Sequence, residues 1–372
     1  MSIPSLDPNI STANQYSRTI SRNNFDFCRF WLSILVIFAH SFALADGNED
    51  REPLRVLTNA QIDSGSLAVN CFFAISGYLI THSWLRSKST TDFLLKRVLR
   101  IYPGFIVAVL IGLFCVEPMA SEHFTLTIRN FLTLLVNLVM LRRMELSGGF
   151  PDNPLPFAIN GSLWSIPYEF KCYLAVMLLG GLGLFNRRKW LNVILLIGFI
   201  IGGMVYPLLN APFFERGAFA VVVGNASNWF IVFPYFLAGM TFYLFEHRIP
   251  ASARWAMSAF IALVVAAMLP PLGRLIFPFA IPYVLFWLAF RPNVRLQNWA
   301  CFGDFSYGIY LYAFPIQQLI VSQIHGIGPI SLFLIATPLS VVAGVISWHL
   351  VEKHFLKLKH RLPSRSLNIA PN

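Results

Sequence analysis

Cys28-Arg29-Phe30-Trp31-Leu32-Ser33-Ile34-Leu35-Val36-Ile37-Phe38-Ala39-His40 is apolar enough to lie in lipid, yet it carries an arginine near its start and a histidine at its end. An ionisable group inside a bilayer costs a few kcal/mol, so it faces a protein interior or a wet cavity and has a task there. Eleven residues at about 100° each make three full turns plus roughly 20°, so Arg29 and His40 project from one helical face, ~16 Å apart along the axis. Ser33 and Ile37 share that stripe. A fixed cation and a proton-transfer group thus mark the two ends of one line on an otherwise apolar helix.

The same balance holds for the whole chain. Of its 372 residues 56% are hydrophobic and 12% charged; a soluble protein needs about twice that charged fraction to cover its surface. Apolar segments recur at about 27–45, 66–85, 101–117, 126–141, 162–184, 190–208, 229–246, 253–270, 274–290, 304–323 and 330–351. The expectation is an all-α polytopic membrane protein, and the first segment is expected to be a spanning helix, not a removed signal peptide.

Charge decides how many segments cross. With Arg18 and Arg22 inside, the acidic loop 46–65 (Asp46, Glu49, Asp50, Glu52, Asp63) falls outside, and the loop with Arg86, Lys88, Lys96, Arg97 and Arg100 falls inside. If 126–141 also crossed, Arg187-Arg188-Lys189 and the basic tail would land outside. Reading 126–141 as re-entrant or interfacial leaves about ten spans with both termini cytoplasmic, and roughly 19 of the 28 Lys and Arg on the cytoplasmic side. The chain divides into a cytoplasmic tail 1–25, one membrane domain 26–352 and a basic cytoplasmic tail 353–372. The net charge of +11 is absorbed by this positive-inside pattern, so no nucleic acid is expected as a partner. Cys28, Cys71, Cys115, Cys172 and Cys301 have no metal-like spacing, and no metal site is expected.

Other polar residues inside apolar segments carry the chemistry. Ser76-Gly77 in the second span has two readings, close helix packing or a tunnel lining. Arg97 and Arg100 are three apart and share a face; they either anchor the span or clamp a phosphate-bearing ligand, since guanidinium forks match phosphate oxygens. Glu169, ~10 Å into the span that opens Ser162-Leu163-Trp164-Ser165, reaches a depth similar to that of His40. The two are expected to pair, either structurally or with the carboxylate fixing one imidazole tautomer for base catalysis. Tyr307, Tyr310 and neighbouring hydroxyls of the tenth span are expected to line a cavity with Ser33, Ser76 and Trp164. The irregular stretch Gly148 to Gly161 offers an outer lid or binding loop, and the loop Asn210 to Asn228 a second selective surface.

Taken together, Arg29-x10-His40, Phe72-Phe73-x-x-Ser76-Gly77, Arg97-x-x-Arg100-Ile101-x-Pro103, Leu163-Trp164-Ser165-x-x-x-Glu169 and Ser306-Tyr307-x-x-Tyr310-Leu311 stand in the order found in one known family. From Phe25 to about Phe355 the chain resembles the integral-membrane acyltransferase family three, which includes O-antigen, exopolysaccharide and Nod-factor acyltransferases. The resemblance implies a ten-span protein of the bacterial cytoplasmic membrane that moves an acyl group, most often acetyl, from cytoplasmic acetyl-CoA to a hydroxyl of an extracytoplasmic glycan or lipid-linked sugar. No permanently bound cofactor is expected; acyl-CoA is a co-substrate. Carried over position by position, Arg29 and His40 are the essential pair, Arg97 and Arg100 the donor-side arginines, and Glu169 the carboxylate of the Trp-Ser motif. The chain departs from many relatives at Asn70, at Ala313 and at Phe170-Lys171. In the scheme this implies, His40 takes the acceptor's proton and the alkoxide attacks the thioester; a covalent acyl-enzyme is the other chemistry open. A proton-coupled transporter or flippase of an anionic or lipid-linked sugar would use the same polar residues.

Overall fold

The computed structural model describes residues 23–120, 127–143, 149–209, 214–215, 217–291, 299 and 303–358. Both expected tails lie largely outside these residues, as do Cys301 and parts of the two loops expected to meet an acceptor. All regular secondary structure among the described residues is helical.

Helix α1 (Phe25–Asp46) carries the Arg29–His40 stripe. It stops at Gly47, whose φ of 77° is left-handed and whose missing Cβ makes room for Pro154 O. Asp63 accepts from Ser66 N at 2.7 Å and starts α2 (Ser64–Arg86). Ser89 caps α3 (Thr90–Ile111) in the same way, and a π-turn at Gly112–Val116 carries that helix on to Ala120. Helix α4 is Ile128–Val139. A 3-10 turn at Gly161–Ser165 then leads into α5 (Ile166–Gly181). There follow α6 (Trp190–Val205), α7 (Ala226–Leu244), α8 (Ala253–Met268) and α9 (Leu272–Ala289). Last come α10 (Ser306–Gln323) and α11 (Pro329–Ser347), the latter extended through a π-turn to Leu358.

Seven of these helices are long and apolar enough to cross a membrane by themselves. Outward faces are apolar: Ile194 and Ile201 on α6, Phe260 and Ile261 on α8, Leu334 and Val342 on α11 are all exposed. Large apolar side chains pointing outward on several helices at once are what lipid contact requires, so the chain is an integral membrane protein. Helices α5 and α8, at 16 residues each, are shorter than a full span, whereas α6 reaches Leu208 through a 3-10 turn. Helix α10 has the length but is polar, because it runs through the interior. There Gln317 Nε2 donates to Ile37 O (2.9 Å) and Ser41 Oγ (2.8 Å), tying α10 to α1. The twelve residues of α4 rise only ~18 Å, too little to cross. Ile128, Leu132, Val136 and Val139 are exposed on one side of it, while Asn130, Thr133 and Asn137 share the other.

Two glycine crossings fix the bundle. A Cβ on Gly77 would stand 2.0 Å from Phe236 O, and one on Gly239 would stand 2.0 Å from Ala74 O, so α2 and α7 touch backbone to backbone. Gly308 and Gly344 bring α10 and α11 together similarly, at 2.9 Å from a Gly308 Cβ to Gly344 Cα. The described part of the expected lid, 149–160, is stitched down. Asn153 Nδ2 donates to Gln318 Oε1 (2.7 Å), Gln318 Nε2 donates to Leu155 O and Ala158 O (2.9 Å each), and Asn160 Nδ2 donates to Leu311 O (2.8 Å). This stretch is a fixed cap on α10.

Candidate active site

The N-terminal ends of α1 and α10 meet the middle of α3 around Asp304. Its Oδ2 accepts from Arg29 Nη1 at 2.5 Å and from Arg100 Nη2, and its Oδ1 accepts from Ser306 Oγ at 2.6 Å. Arg100 also faces Glu352 Oε2 at 4.0 Å, and Glu352 is held by Ser347 Oγ at 3.1 Å. Charges with so little access to water persist only when paired. One carboxylate therefore orients two arginines brought from distant parts of the chain. Sequence reasoning gave Asp304 no role.

Above this clamp opens a cavity with about 1070 Å³ of empty space, part of it continuous with solvent. Arg29, Lys96, Arg97 and Arg100 line it together with Ser76, Ser165, Glu169, Tyr173, Tyr307 and Tyr310 and with apolar residues of α2. Arg97 differs from its neighbours. It has no described carboxylate in ion-pair range, its Nε is buried without a partner, and its Nη2 makes only a long contact to Ser83 Oγ at 3.4 Å. It lies over the rings of Phe93 (5.8 Å) and Tyr173 (5.9 Å). A guanidinium with open donors beside other cations suits an oxyanion.

Hydroxyls and one carboxylate stand beside these cations, with Arg100 lying 5.7 Å over the Tyr307 ring. Glu169 Oε1 accepts from Tyr173 Oη at 2.5 Å and Ser76 Oγ at 3.2 Å. Tyr310 Oη donates to Ser162 O at 2.6 Å and lies 2.7 Å from Ser165 Oγ; Tyr307 Oη donates to Ile101 O at 2.9 Å. The two readings of Ser76-Gly77 are both realised, one in each residue: Gly77 makes the crossing and Ser76 faces the cavity.

Three expected site residues fall elsewhere. Ser33 is fully buried and its Oγ donates to Phe30 O of its own helix at 2.7 Å, so it does not line the cavity. Trp164 lines a different cavity on the far side of α5. His40 is not bonded to Glu169, whose described partners are Tyr173 and Ser76. Its ring instead meets Phe314 edge-on at 5.2 Å, and its Nδ1 is buried without a partner. Phe314 follows the cavity-lining Tyr310 by one turn of α10, so His40 packs on the same helix one turn further along. Equal depth did not make Glu169 and His40 neighbours, because depth says nothing of direction around the bundle. Among the described residues no group of three or more His, Cys, Asp and Glu could hold a metal ion.

Comparison with known proteins adds to this geometry. A family model described as an acyltransferase domain matches residues 22–349. The chain is 26% identical over 349 residues to a protein named O-acetyl transferase from Shigella phage Sf6, covering 90% of this chain and 96% of that one. It is 24% identical over 375 residues to Nodulation protein 10 of Rhizobium leguminosarum bv. viciae, covering 94% and 97%. No solved structure matches at comparable significance.

Proposed function

We propose, from the premise that this chain belongs to the acyltransferase family so matched and is a membrane O-acyltransferase, that it carries an acetyl group from cytoplasmic acetyl-CoA to a hydroxyl of a glycan outside the cytoplasmic membrane. The observation that supports this most is a single cavity that gathers four cations, a carboxylate and several hydroxyls, with His40 packed on Phe314 one turn of α10 after the cavity-lining Tyr310. The CoA phosphates lie against Lys96, Arg97 and Arg100, with Arg97 contributing the open guanidinium. Arg29, held by Asp304, directs the pantetheine arm along α1. The ~16 Å between Arg29 and His40 is of the order of that arm.

His40 then removes the proton of the acceptor hydroxyl. The oxygen bonds to the thioester carbonyl carbon, the C–S bond breaks, and the CoA thiolate leaves with the proton returned by the imidazolium. Glu169 is a positioning residue in this scheme: through Tyr173 and Ser76 it shapes the wall behind Arg97. Both termini are cytoplasmic, on the side where the lysines and arginines concentrate. The test is purified protein with labelled acetyl-CoA, with and without an O-antigen or exopolysaccharide acceptor. Acceptor-dependent CoA release with label on the glycan is the expected result; binding without any release under either condition would overturn the scheme.

A further inference from the structure

The cavity on the far side of α5 has no part in this transfer scheme. Trp164, Tyr168 and Lys171 face it, while Ser165, Glu169 and Tyr173 face the donor cavity, so one helical segment is the wall between two chambers. The second chamber has about 1500 Å³ of empty space, part of it open to solvent, and is closed on its other side by the polar stripe of α4.

Its chemistry is that of a carbohydrate site with an added charge requirement. Asn130, Asn137, Asn225 and Asn228 bring amides, which both donate and accept as sugar hydroxyls do. Trp164 and Tyr168, 6.0 Å apart, bring aromatic faces. Arg142, Arg143 and Lys171 line the same space, and among the described residues no Asp or Glu does. Arg142 is close enough to act electrostatically on both Lys171 and Tyr168. Neither Arg142 nor Lys171 forms an ion pair with a described carboxylate; Lys171 Nζ stands 5.4 Å over the Tyr168 ring. Glu215, the carboxylate that reaches Tyr168 electrostatically, is engaged by Tyr206 Oη (2.6 Å) and by Ser227 N (2.9 Å) and Oγ (3.1 Å). Two cations this close, with no described carboxylate paired to either, repel each other, and an incoming anion relieves that repulsion.

We propose that this chamber binds an anionic glycan, a stretch of the acceptor bearing carboxylate or phosphate, on the opposite face of α5 from the donor. The proposal rests on the acyl-transfer reading above. A lipid headgroup would need the cations alone; four amides and two aromatic rings beside them fit a sugar.

The test uses the full chain in phosphatidylcholine nanodiscs, titrated calorimetrically with trigalacturonate and with neutral maltotriose. Trigalacturonate should bind at least about tenfold more tightly, a preference lost in Arg142→Gln/Lys171→Gln and restored in the charge-keeping Arg142→Lys/Lys171→Arg. Equal binding of the two sugars, or an undiminished preference in the glutamine variant, overturns the proposal. So does loss of trigalacturonate binding when the nanodiscs contain phosphatidylglycerol, which assigns the chamber to lipid headgroups. Acetyl-CoA turnover on the same samples keeps the two readings apart. Acetyl transfer without anion preference sinks this proposal alone, and anion preference without CoA release sinks the transfer scheme alone.

Discussion

Arg29 and Asp304 form a 2.5 Å ion pair that joins the first helix of the chain to the tenth, and the same carboxylate oxygen takes Arg100 from α3. Their side chains are 20% and 16% exposed, so the pair is mostly withdrawn from water. Removing one partner of such a pair costs ~3–5 kcal/mol when it is fully buried, and less with this residual exposure. Asp304→Asn should therefore lower the unfolding temperature in detergent and weaken acetyl-CoA binding together. Lys96→Gln, whose ion pair within the fold is an i,i+4 pair with Asp92, should cost about 0.3–0.5 kcal/mol of stability. Equal stability of the two variants would refute the clamp.

His40 is not in the lining of the cavity proposed for the donor, so its loss should separate chemistry from binding. His40→Ala is expected to reduce acetyl transfer by ~10²–10⁴-fold while labelled acetyl-CoA still binds with an affinity near that of the native protein. A variant that transfers normally, or that no longer binds the donor, would contradict the assignment.

Arg97 makes the opposite case. It has open donors and no described carboxylate to leave stranded, so Arg97→Gln should weaken acetyl-CoA binding by roughly 1.5–3 kcal/mol, the range of a charge-assisted hydrogen bond. Its unfolding temperature should fall less than that of Asp304→Asn. Donor affinity measured by equilibrium dialysis, beside a melting curve, decides the matter.

The α2–α7 crossing gives a purely structural prediction. A methyl on Gly77 or Gly239 would fall 2.0 Å from a backbone carbonyl oxygen, and neither carbonyl can rotate away. Gly77→Ala and Gly239→Ala should each destabilise by ~1–3 kcal/mol or more. The double variant should fall short of the sum, since the first methyl already spreads the helices. Additive melting shifts would argue against the contact.

What the sequence made legible follows from what lipid penalises. Arg29, Arg97, Arg100, Ser76, Tyr307 and Tyr310 stood out because a polar group in an apolar run needs a reason, and all of them line one cavity. Asp304 escaped notice because an acidic residue just before a helix is also an ordinary helix-start feature. Three intramembrane arginines require a counter-charge somewhere, and that requirement was the available signal. The Glu169–His40 pairing failed because sequence fixes depth along a helix and leaves the neighbours around it undetermined. Trp164 and Glu169 share a motif and face different chambers for a similar reason: Trp164 lies in the 3-10 turn and Glu169 in the first turn of α5, and five residues of helical rotation put them on different sides.

The wall formed by α5 bears on the order of events in turnover. If donor and acceptor have separate chambers with their own mouths, neither must leave before the other arrives. Both substrates are then held at once, and double-reciprocal plots at several fixed acceptor concentrations should intersect instead of running parallel. Each chamber would then saturate on its own concentration scale, and a cell could change its glycan supply without changing how tightly the enzyme holds acetyl-CoA.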